Sequence, residues 1–376
     1  MIQAFAKKLS SLQIKNPSIF LWIFGIITLL MIPGIVQLVG NVEPSLEKVL
    51  PHDLEEIRTM NYVRGEFGVD MVYVLVHIDD GVQDVRDIEY LEYVHALSEK
   101  FKTREYVVGV ESVSTQLMQF QEMNEFQTFP NSAYEIEEIF KTHPTIQDFT
   151  NYQYSFSIIQ LQTTVGSSAQ AISTLIESLE EDIALTEKIN PGTQAQITGF
   201  SAIDYVTFSV IMTDFLLITF VSMGIVGLIV WVTFKSLVRG MLPMLVVMVA
   251  LIWTMGIVGY LGWTITVVSM VAAAMIMGLG IDFGIHLIQT YFRKREEDLL
   301  SAQESISQVV QELLRALIGA SLTTMAGFLA LLFGVLPAMK MLGGILAIGI
   351  FITLIGAVFL LPVVIYLYDR NNVYTK

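Results

Sequence analysis

The sequence predicts an α-helical polytopic membrane protein with six spans and one α+β domain between the first two spans. Three observations support this fold class. Hydrophobic residues make up 53% of the 376 residues and the mean hydropathy is +0.61, which does not fit an ordinary globular chain. Six apolar runs are long enough to cross a bilayer. The long polar stretch, residues 41–210, separates the first run from the other five.

The charge distribution separates a soluble part from a membrane part. The net charge is −15, and residues 41–210 carry 9 Lys or Arg against 28 Asp or Glu, so the rest of the chain is at +4. This acidic soluble part argues against nucleic-acid binding, which requires clustered positive charge. The chain has no cysteine, which excludes disulfides and thiolate metal sites. The histidines are scattered and no phosphate-binding glycine loop precedes a soluble helix, so we expect no enzyme activity, no cofactor and no bound metal.

Residues 1–16 predict a cytosolic amphipathic helix on the membrane surface. Ile2, Phe5, Leu9 and Leu12 recur at helical spacing, and lysines occupy the other side. Residues 17–40 follow as the first span. We expect a retained anchor, because no small-residue cleavage site closes a short apolar core.

Residues 41–210 contain the strand-helix-strand order twice, which predicts a ferredoxin-like split βαβ domain. The predicted segments are 71–78, 87–101 and 106–113, then 154–165, 169–188 and 195–199.

An insertion at residues 115–150 is rich in methionine and phenylalanine. Methionine adapts to promiscuous binding surfaces, so this insertion is a candidate substrate-contacting or membrane-facing lid. The alternative interpretation is that these side chains cover the sheet. The candidate contact residues are Met118, Phe120, Met123, Phe126 and Phe129.

Residues 211–368 predict the other five spans, at 211–234, 243–261, 265–291, 314–335 and 342–366, with a cytosolic surface helix between residues 293 and 312 and a tail at 369–376. Basic residues of the short loops fall almost all on one side, with Lys340 opposite them. The positive-inside rule therefore places both termini in the cytosol and the 41–210 domain outside the cell membrane. The basic residues on the cytosolic side are Lys7, Lys8, Lys15, Lys235, Arg239, Arg293, Lys294, Arg295, Arg315, Arg370 and Lys376.

Asp282 is the first functional candidate, because it lies inside an apolar run from about residue 265 to 292. A carboxylate at the centre of a spanning helix costs roughly 2.5–3.5 kcal/mol on insertion scales, so such residues usually mark a path for ions or substrate. Gly280 and Gly284 share one helix face and predict close approach of a neighbouring helix. His286 lies one turn beyond Asp282, on the same side. We therefore expect the carboxylate to face protein.

Three motifs resemble those of the resistance-nodulation-division (RND) superfamily, in its MMPL, hopanoid-transporter-like branch. Residues 233–243 resemble the family's F-[KR]-S-x-x-x-x-x-x-P link, and residues 278–286 resemble its fourth-span G-x-G-x-D-[YF]-G-I-H signature. Residues 323–328 resemble its fifth-span T-T-x-x-G-F motif. One span, an outer domain and five further spans correspond to one half of such a transporter.

The resemblance implies proton-driven export of a hydrophobic or amphiphilic substrate, with the proton gradient as energy source. Asp282 would accept the proton, Thr323 and Thr324 would be its hydrogen-bonding partners, and His286 would extend the relay. The positions implied in helix packing at the relay are Gly278, Gly280, Gly284 and Phe283, where Phe283 replaces the tyrosine of many relatives.

A single set of six spans implies a homo-oligomer, with a twofold dimer expected and a trimer possible. The substrate class is open, although lipids or other hydrophobic small molecules suit the outer domain. One alternative is a lipid-binding receptor or scaffold without proton coupling, since sterol-sensing proteins share the six-span plan. Another is the proton-driven auxiliary of the protein-export channel, whose fourth-span pattern differs from residues 278–286.

Overall fold

The computed structural model describes residues 2–40, 50–51, 54–67, 70–78, 84–123, 129–130, 132–166, 168–188, 193–266 and 268–370. The chain divides into two compact units. One unit comprises residues 52–209, and the other comprises residues 1–51 and 210–376. We call them the soluble unit and the helical unit.

The helices account for most of the described chain. They are α1 (Ile2–Lys15), α2 (Pro17–Gly40), α3 (Glu55–Phe67), α4 (Ile88–Phe101), α5 (Val113–Met123), α6 (Ala133–Thr142), α7 (Ala169–Glu187), α8 (Phe200–Phe234), α9 (Leu237–Tyr260), α10 (Ala272–Glu296), α11 (Ala302–Leu329), α12 (Pro337–Ile355) and α13 (Leu361–Asp369). Short 3₁₀ turns occupy Pro144–Phe149, Ser269–Val271 and Ala330–Phe333, and a π-helical turn, Gly356–Leu360, joins α12 to α13.

Four strands form one antiparallel sheet in the soluble unit. They are β1 (Asp70–Ile78), β2 (Val107–Glu111), β3 (Phe156–Thr163) and β4 (Thr193–Thr198). The strand order is β2-β3-β1-β4, so each strand-helix-strand segment places its two strands in non-adjacent positions. In β1, Val72, Val74 and Val76 are fully buried at alternate positions, as expected when one face of a sheet packs on a core.

The four strands, α4 and α7 lie close to their predicted positions, whereas α3, α5 and α6 were not predicted. One predicted boundary was wrong: Val113, assigned to a strand, is the first residue of α5. A bidentate ion pair joins the loop after α4 to α7, with Arg104 Nε and Nη2 each 2.7 Å from an oxygen of buried Asp182. This carboxylate is the main reason that the pKa of the Arg104 guanidinium is raised.

Six helical segments of the described chain are long and apolar enough to span a membrane. They are Pro17–Gly40, Phe200–Phe234, Leu237–Tyr260, Ser269–Glu296, Ala302–Phe333 and Pro337–Asp369. Two differ from the prediction. The second begins at Phe200, because residues 200–210 contain no glycine or proline that would separate them from the predicted span. The predicted surface helix after residue 293 is not separate: α11 starts at a Ser301–Glu304 capping box and runs without a break into the fifth segment.

The first and third apolar segments, α2 and α9, meet along a glycine seam. A Cβ atom added to Gly256 would lie 2.6 Å from Met31 Cβ, and one added to Gly34 would overlap the Gly256 carbonyl. Next to this seam, Trp253 Nε1 donates to Thr28 Oγ1 at 2.9 Å. Backbones approach this closely only where side chains are absent, as in small-residue helix pairs of membrane proteins.

We expect Gly34→Val to destabilise the helical unit by at least about 1–3 kcal/mol, the usual cost of overpacking, because the new methyl groups would meet backbone atoms. Gly25→Val, on the same helix, is the matched control, since a Cβ at Gly25 has open space around it. The measurement is the thermal unfolding midpoint of both variants in detergent. Equal unfolding midpoints of the two variants would contradict close packing of α2 against α9 at Gly34.

The amino-terminal helix α1 packs against α11 and α13 through Ala6, Leu9 and Gln13. The buried Gln13 side chain reaches the π-helical turn, where its Nε2 donates to the Val358 carbonyl at 2.8 Å and to the Phe359 carbonyl at 3.3 Å. Four residues after Val358 stands Pro362, which has no N–H. Residue 362 therefore cannot donate to the Val358 carbonyl, and Gln13 supplies a donor from another helix.

Gln13→Leu should lower stability by about 1–3 kcal/mol, because it leaves a buried carbonyl without its side-chain donor. Hydrogen–deuterium exchange of the peptide around residues 355–365 should rise in this variant. Gln3→Leu makes the same change at an exposed position of α1 and should leave this exchange unaltered. Unchanged protection in Gln13→Leu would show that the π-helical turn does not depend on α1.

Candidate functional site

Asp282 lies near the middle of α10, and its side chain is exposed in the single chain. Its neighbours Ile281 and Phe283 are buried, at 5% and 7% exposure. Exposed positions of α10 recur every three or four residues on both sides of the carboxylate, so they form one narrow stripe along the helix. This Asp282 stripe consists of Gly278, Asp282, His286, Gln289 and Arg293.

The Asp282 stripe is polar only on the side toward the carboxyl end of α10. From Asp282 toward the carboxyl end of α10, each successive position carries a hydrogen-bonding or charged side chain. Toward the amino end, the stripe continues through Gly278 and Met275 to Val271, which offer no polar side-chain group. A file of polar side chains therefore joins the carboxylate to the charged end of the helix.

Ion pairs hold that charged end in place. Arg295 Nε and the Tyr291 hydroxyl both donate to Asp369 Oδ2, at 2.7 and 2.9 Å, which ties α10 to α13. Arg239, on α9, donates to Glu296 Oε1 at 2.7 Å. Because Arg295 and Asp369 are both buried, removing either partner would leave an uncompensated charge.

The carboxylate itself has no hydrogen-bond or ion-pair partner among the described residues, and neither has His286. The predicted bonds from Thr323 and Thr324 are not formed. Thr323 Oγ1 donates to the Ala320 carbonyl at 2.9 Å, and Thr324 Oγ1 donates to the same carbonyl at 2.9 Å. A threonine in a helix has this local acceptor within reach, so its hydroxyl is satisfied without the carboxylate.

The glycines of the motif do not share one role. Gly280 faces α12, where an added Cβ would lie 2.7 Å from Thr353 Cγ2, and Gly284 faces α9, where it would lie 2.6 Å from Pro243 Cβ. These positions allow close packing as predicted, but on the side of α10 opposite the carboxylate. Gly278 lies on the carboxylate's own side and has open space around it. Asp282 therefore does not face protein in the single chain, and its enclosure by a second copy stays a prediction.

Helix α11, which packs against α10, exposes a row of small residues that sequence reasoning did not identify. An added Cβ would meet nothing within 4 Å at Gly319 or Gly327. The spacings of three and four residues around Thr323 are the sequence signal that could have revealed this row. Sequence reasoning also missed Gln289, although its position two helical turns after Asp282 places it on the same face of α10. The row consists of Ala316, Gly319, Ala320, Thr323, Ala326, Gly327 and Ala330.

The candidate substrate residues of the soluble unit are not gathered in one place. Phe120 and Phe129 are partly buried and pack against the core, which favours a sheet-covering role for both. Phe120 also lines a cavity of about 400 Å³ with His143, whose ring centroid lies 4.2 Å away. Met118 is half-buried, and Met123 is 69% exposed. Phe126 lies outside the described residues.

The six apolar helices and the membrane-protein relatives below define a polytopic membrane protein. Residues 137–375 match the family model described as MMPL family. The chain belongs to the MMPL family, which confirms the resemblance indicated by the motifs of the fourth and fifth spans.

Two relatives support this assignment. MJ1562 of Methanocaldococcus jannaschii is 27% identical over 381 residues, covering 99% of this chain and 96% of the relative. ActII-3 of Streptomyces coelicolor is 28% identical over 180 residues, covering 46% of this chain and 24% of the relative. The names of both describe membrane proteins.

Proposed function

We propose that the chain is a proton-driven secondary transporter that moves hydrophobic or amphiphilic molecules, most simply lipids, at the cytoplasmic membrane. The observation that carries the proposal is Asp282 near the middle of a spanning helix, where its carboxylate has no ion-pair partner among the described residues. An ionised carboxylate in this position is costly, and protonation removes the cost. Membership of the MMPL family is consistent with transport of hydrophobic substances.

The Asp282 stripe supplies a direction for the proton. His286, Gln289 and Arg293 lie between the carboxylate and the charged end of α10, which the positive-inside rule assigns to the cytosol. A proton that reaches Asp282 from outside would pass to His286 and leave toward the cytosolic end, where Gln289 and Arg293 supply a polar surface but do not take up the proton. Protonation of Asp282 makes this face of α10 less polar, so the protonated and ionised forms favour different packing of the helices. Transport requires two such states.

The exposed face of α10 and α11 supports a homodimer as the working unit. In a monomer, the Asp282 stripe and the row of small residues on α11 would contact the lipid hydrocarbon. A charge is unfavourable there, and small residues bury little apolar surface against lipid. A second copy related by a twofold axis would enclose both carboxylates between two sets of small residues. In that arrangement Thr323 and Thr324 of the copies would be the nearest hydroxyls available to the carboxylates.

We interpret the soluble unit as the extracytoplasmic ferredoxin-like porter domain. The antiparallel order β2-β3-β1-β4, with one helix inside each strand pair, supports this interpretation. Its acidic composition agrees with a location away from the anionic cytoplasmic surface. Exposed Met123 and Tyr134 and the cavity beside Phe120 are features of the insertion that are accessible to a hydrophobic molecule.

The experiment is reconstitution of the full-length protein into liposomes with an imposed pH gradient. A fluorescent phospholipid reports substrate movement and a pH-sensitive dye reports proton flux. Coupled transport requires both signals, and collapse of the gradient with an uncoupler should stop lipid movement. Lipid binding with no proton flux in either direction would contradict the proposal.

That contrary result would favour a lipid-binding receptor or scaffold of the sterol-sensing type. The observation that supports this second candidate is that Thr323 and Thr324 bond within their own helix and do not reach the Asp282 carboxylate in the single chain. A receptor would keep saturable lipid binding when Asp282 is replaced by asparagine.

A further inference from the structure

An apolar groove of about 540 Å³ lies where the amphipathic helix α1 meets the beginning of the first apolar segment, α2. Its volume falls within the range of small-molecule sites. We call it the α1 groove. The residues that define it here are Lys8, Leu12, Asn16, Ile19, Ile23 and Phe359.

The walls of the groove are almost entirely apolar. Ile19 and Ile23 belong to the first two turns of α2, so the groove runs from the surface helix into the region of the span. Beyond it, the exposed side of α2 continues with large apolar side chains such as Trp22 and Ile26. A molecule that fills the groove must therefore carry a long apolar chain and be continuous with the bilayer.

The polar groups of the groove lie at its α1 end. Lys8 has no ion-pair partner among the described residues, and Asn16 stands at the break between the two helices. Residues 2–40 contain three lysines and no acidic residue. The rim thus presents a cation and an amide to a ligand whose charge is negative, and basic pockets beside spans are typical binding sites for anionic lipid head groups.

We propose that the α1 groove binds an anionic phospholipid, with one acyl chain along Ile19 and Ile23 and the phosphate at Lys8. A free phosphate would leave the apolar walls uncovered, and a neutral lipid would leave Lys8 without a counter-charge. The bound chain would also contact Phe359, whose carbonyl lies 3.3 Å from Gln13 Nε2. The lipid would therefore stabilise the contact between α1 and the π-helical turn. This inference does not depend on proton coupling.

The test is native mass spectrometry of the full-length protein in detergent, titrated with phosphatidylglycerol or with phosphatidylcholine of the same chains. We expect one phosphatidylglycerol to bind in preference to phosphatidylcholine. Lys8→Gln should weaken its binding about fivefold, the effect of one lysine near an anionic lipid surface. Lys7→Gln is the matched control, because Lys7 is an exposed lysine of the same helix that does not line the groove.

A second variant tests the apolar walls. Ile19→Trp should fill the groove and lower the binding of both lipids while circular dichroism and the mass of the folded protein stay unchanged. Equal loss of binding in Lys7→Gln and Lys8→Gln would overturn the site in favour of diffuse attraction to α1. Equal affinity for the two lipids, or unaltered binding in Ile19→Trp, would overturn it as well.

Discussion

Asp282→Asn is expected to reduce proton-driven lipid movement to the level of protein-free liposomes. Asparagine has nearly the same shape but cannot take up and release a proton, so the two packing states lose the charge change that separates them. The fold should persist, because the carboxylate is exposed and has no described partner in the single chain. The measurement is pH-gradient-driven transport in liposomes, alongside the thermal unfolding midpoint in detergent.

The matched control is Asp214→Asn, which makes the same change in another apolar helix. Asp214 lies on α8, closer to the soluble unit along the chain, where we interpret it as an interfacial residue. This control should retain transport. An Asp282→Asn protein with normal transport would rule out the proton relay, and loss of activity in both variants would show only that carboxylates in these helices are needed for assembly.

The second large effect is expected from leucines placed on the exposed glycines. Gly278→Leu combined with Gly327→Leu should convert a dimer into a folded monomer and abolish transport. A Cβ atom added at either position has open space within 4 Å in the single chain, so we expect the monomer to stay folded. In the proposed dimer the same side chains would separate the two copies and expose both carboxylates to lipid.

Native mass measures this outcome directly. We expect a mass near twice 42.1 kDa for the original protein and 42.1 kDa for the double variant, apart from bound lipid and detergent. The control is Gly25→Leu combined with Gly224→Leu, since both positions also have open space but lie on α2 and α8. A double variant that stays dimeric would place the interface elsewhere, and three copies in the original protein would replace the dimer by a trimer.

Local sequence determined the membrane character of this chain and the order of its elements. A run of about twenty apolar residues must pair its backbone groups internally in a bilayer, so each of the six segments is helical whatever its neighbours. Alternation and turn residues likewise sufficed to locate the strands of the soluble unit. The carboxylate inside an apolar run, together with the residues around it, also identified Asp282 and the MMPL family.

Only the tertiary structure decided which side of each helix is used. Gly280 and Asp282 differ by two positions in the sequence, yet one packs against Thr353 and the other points away from the chain. Similarly, nothing near Gln13 in the sequence indicates Val358, which is 345 residues away. The physical reason is that helical periodicity defines the faces of a helix, whereas the neighbours that cover each face come from distant parts of the chain or from another copy.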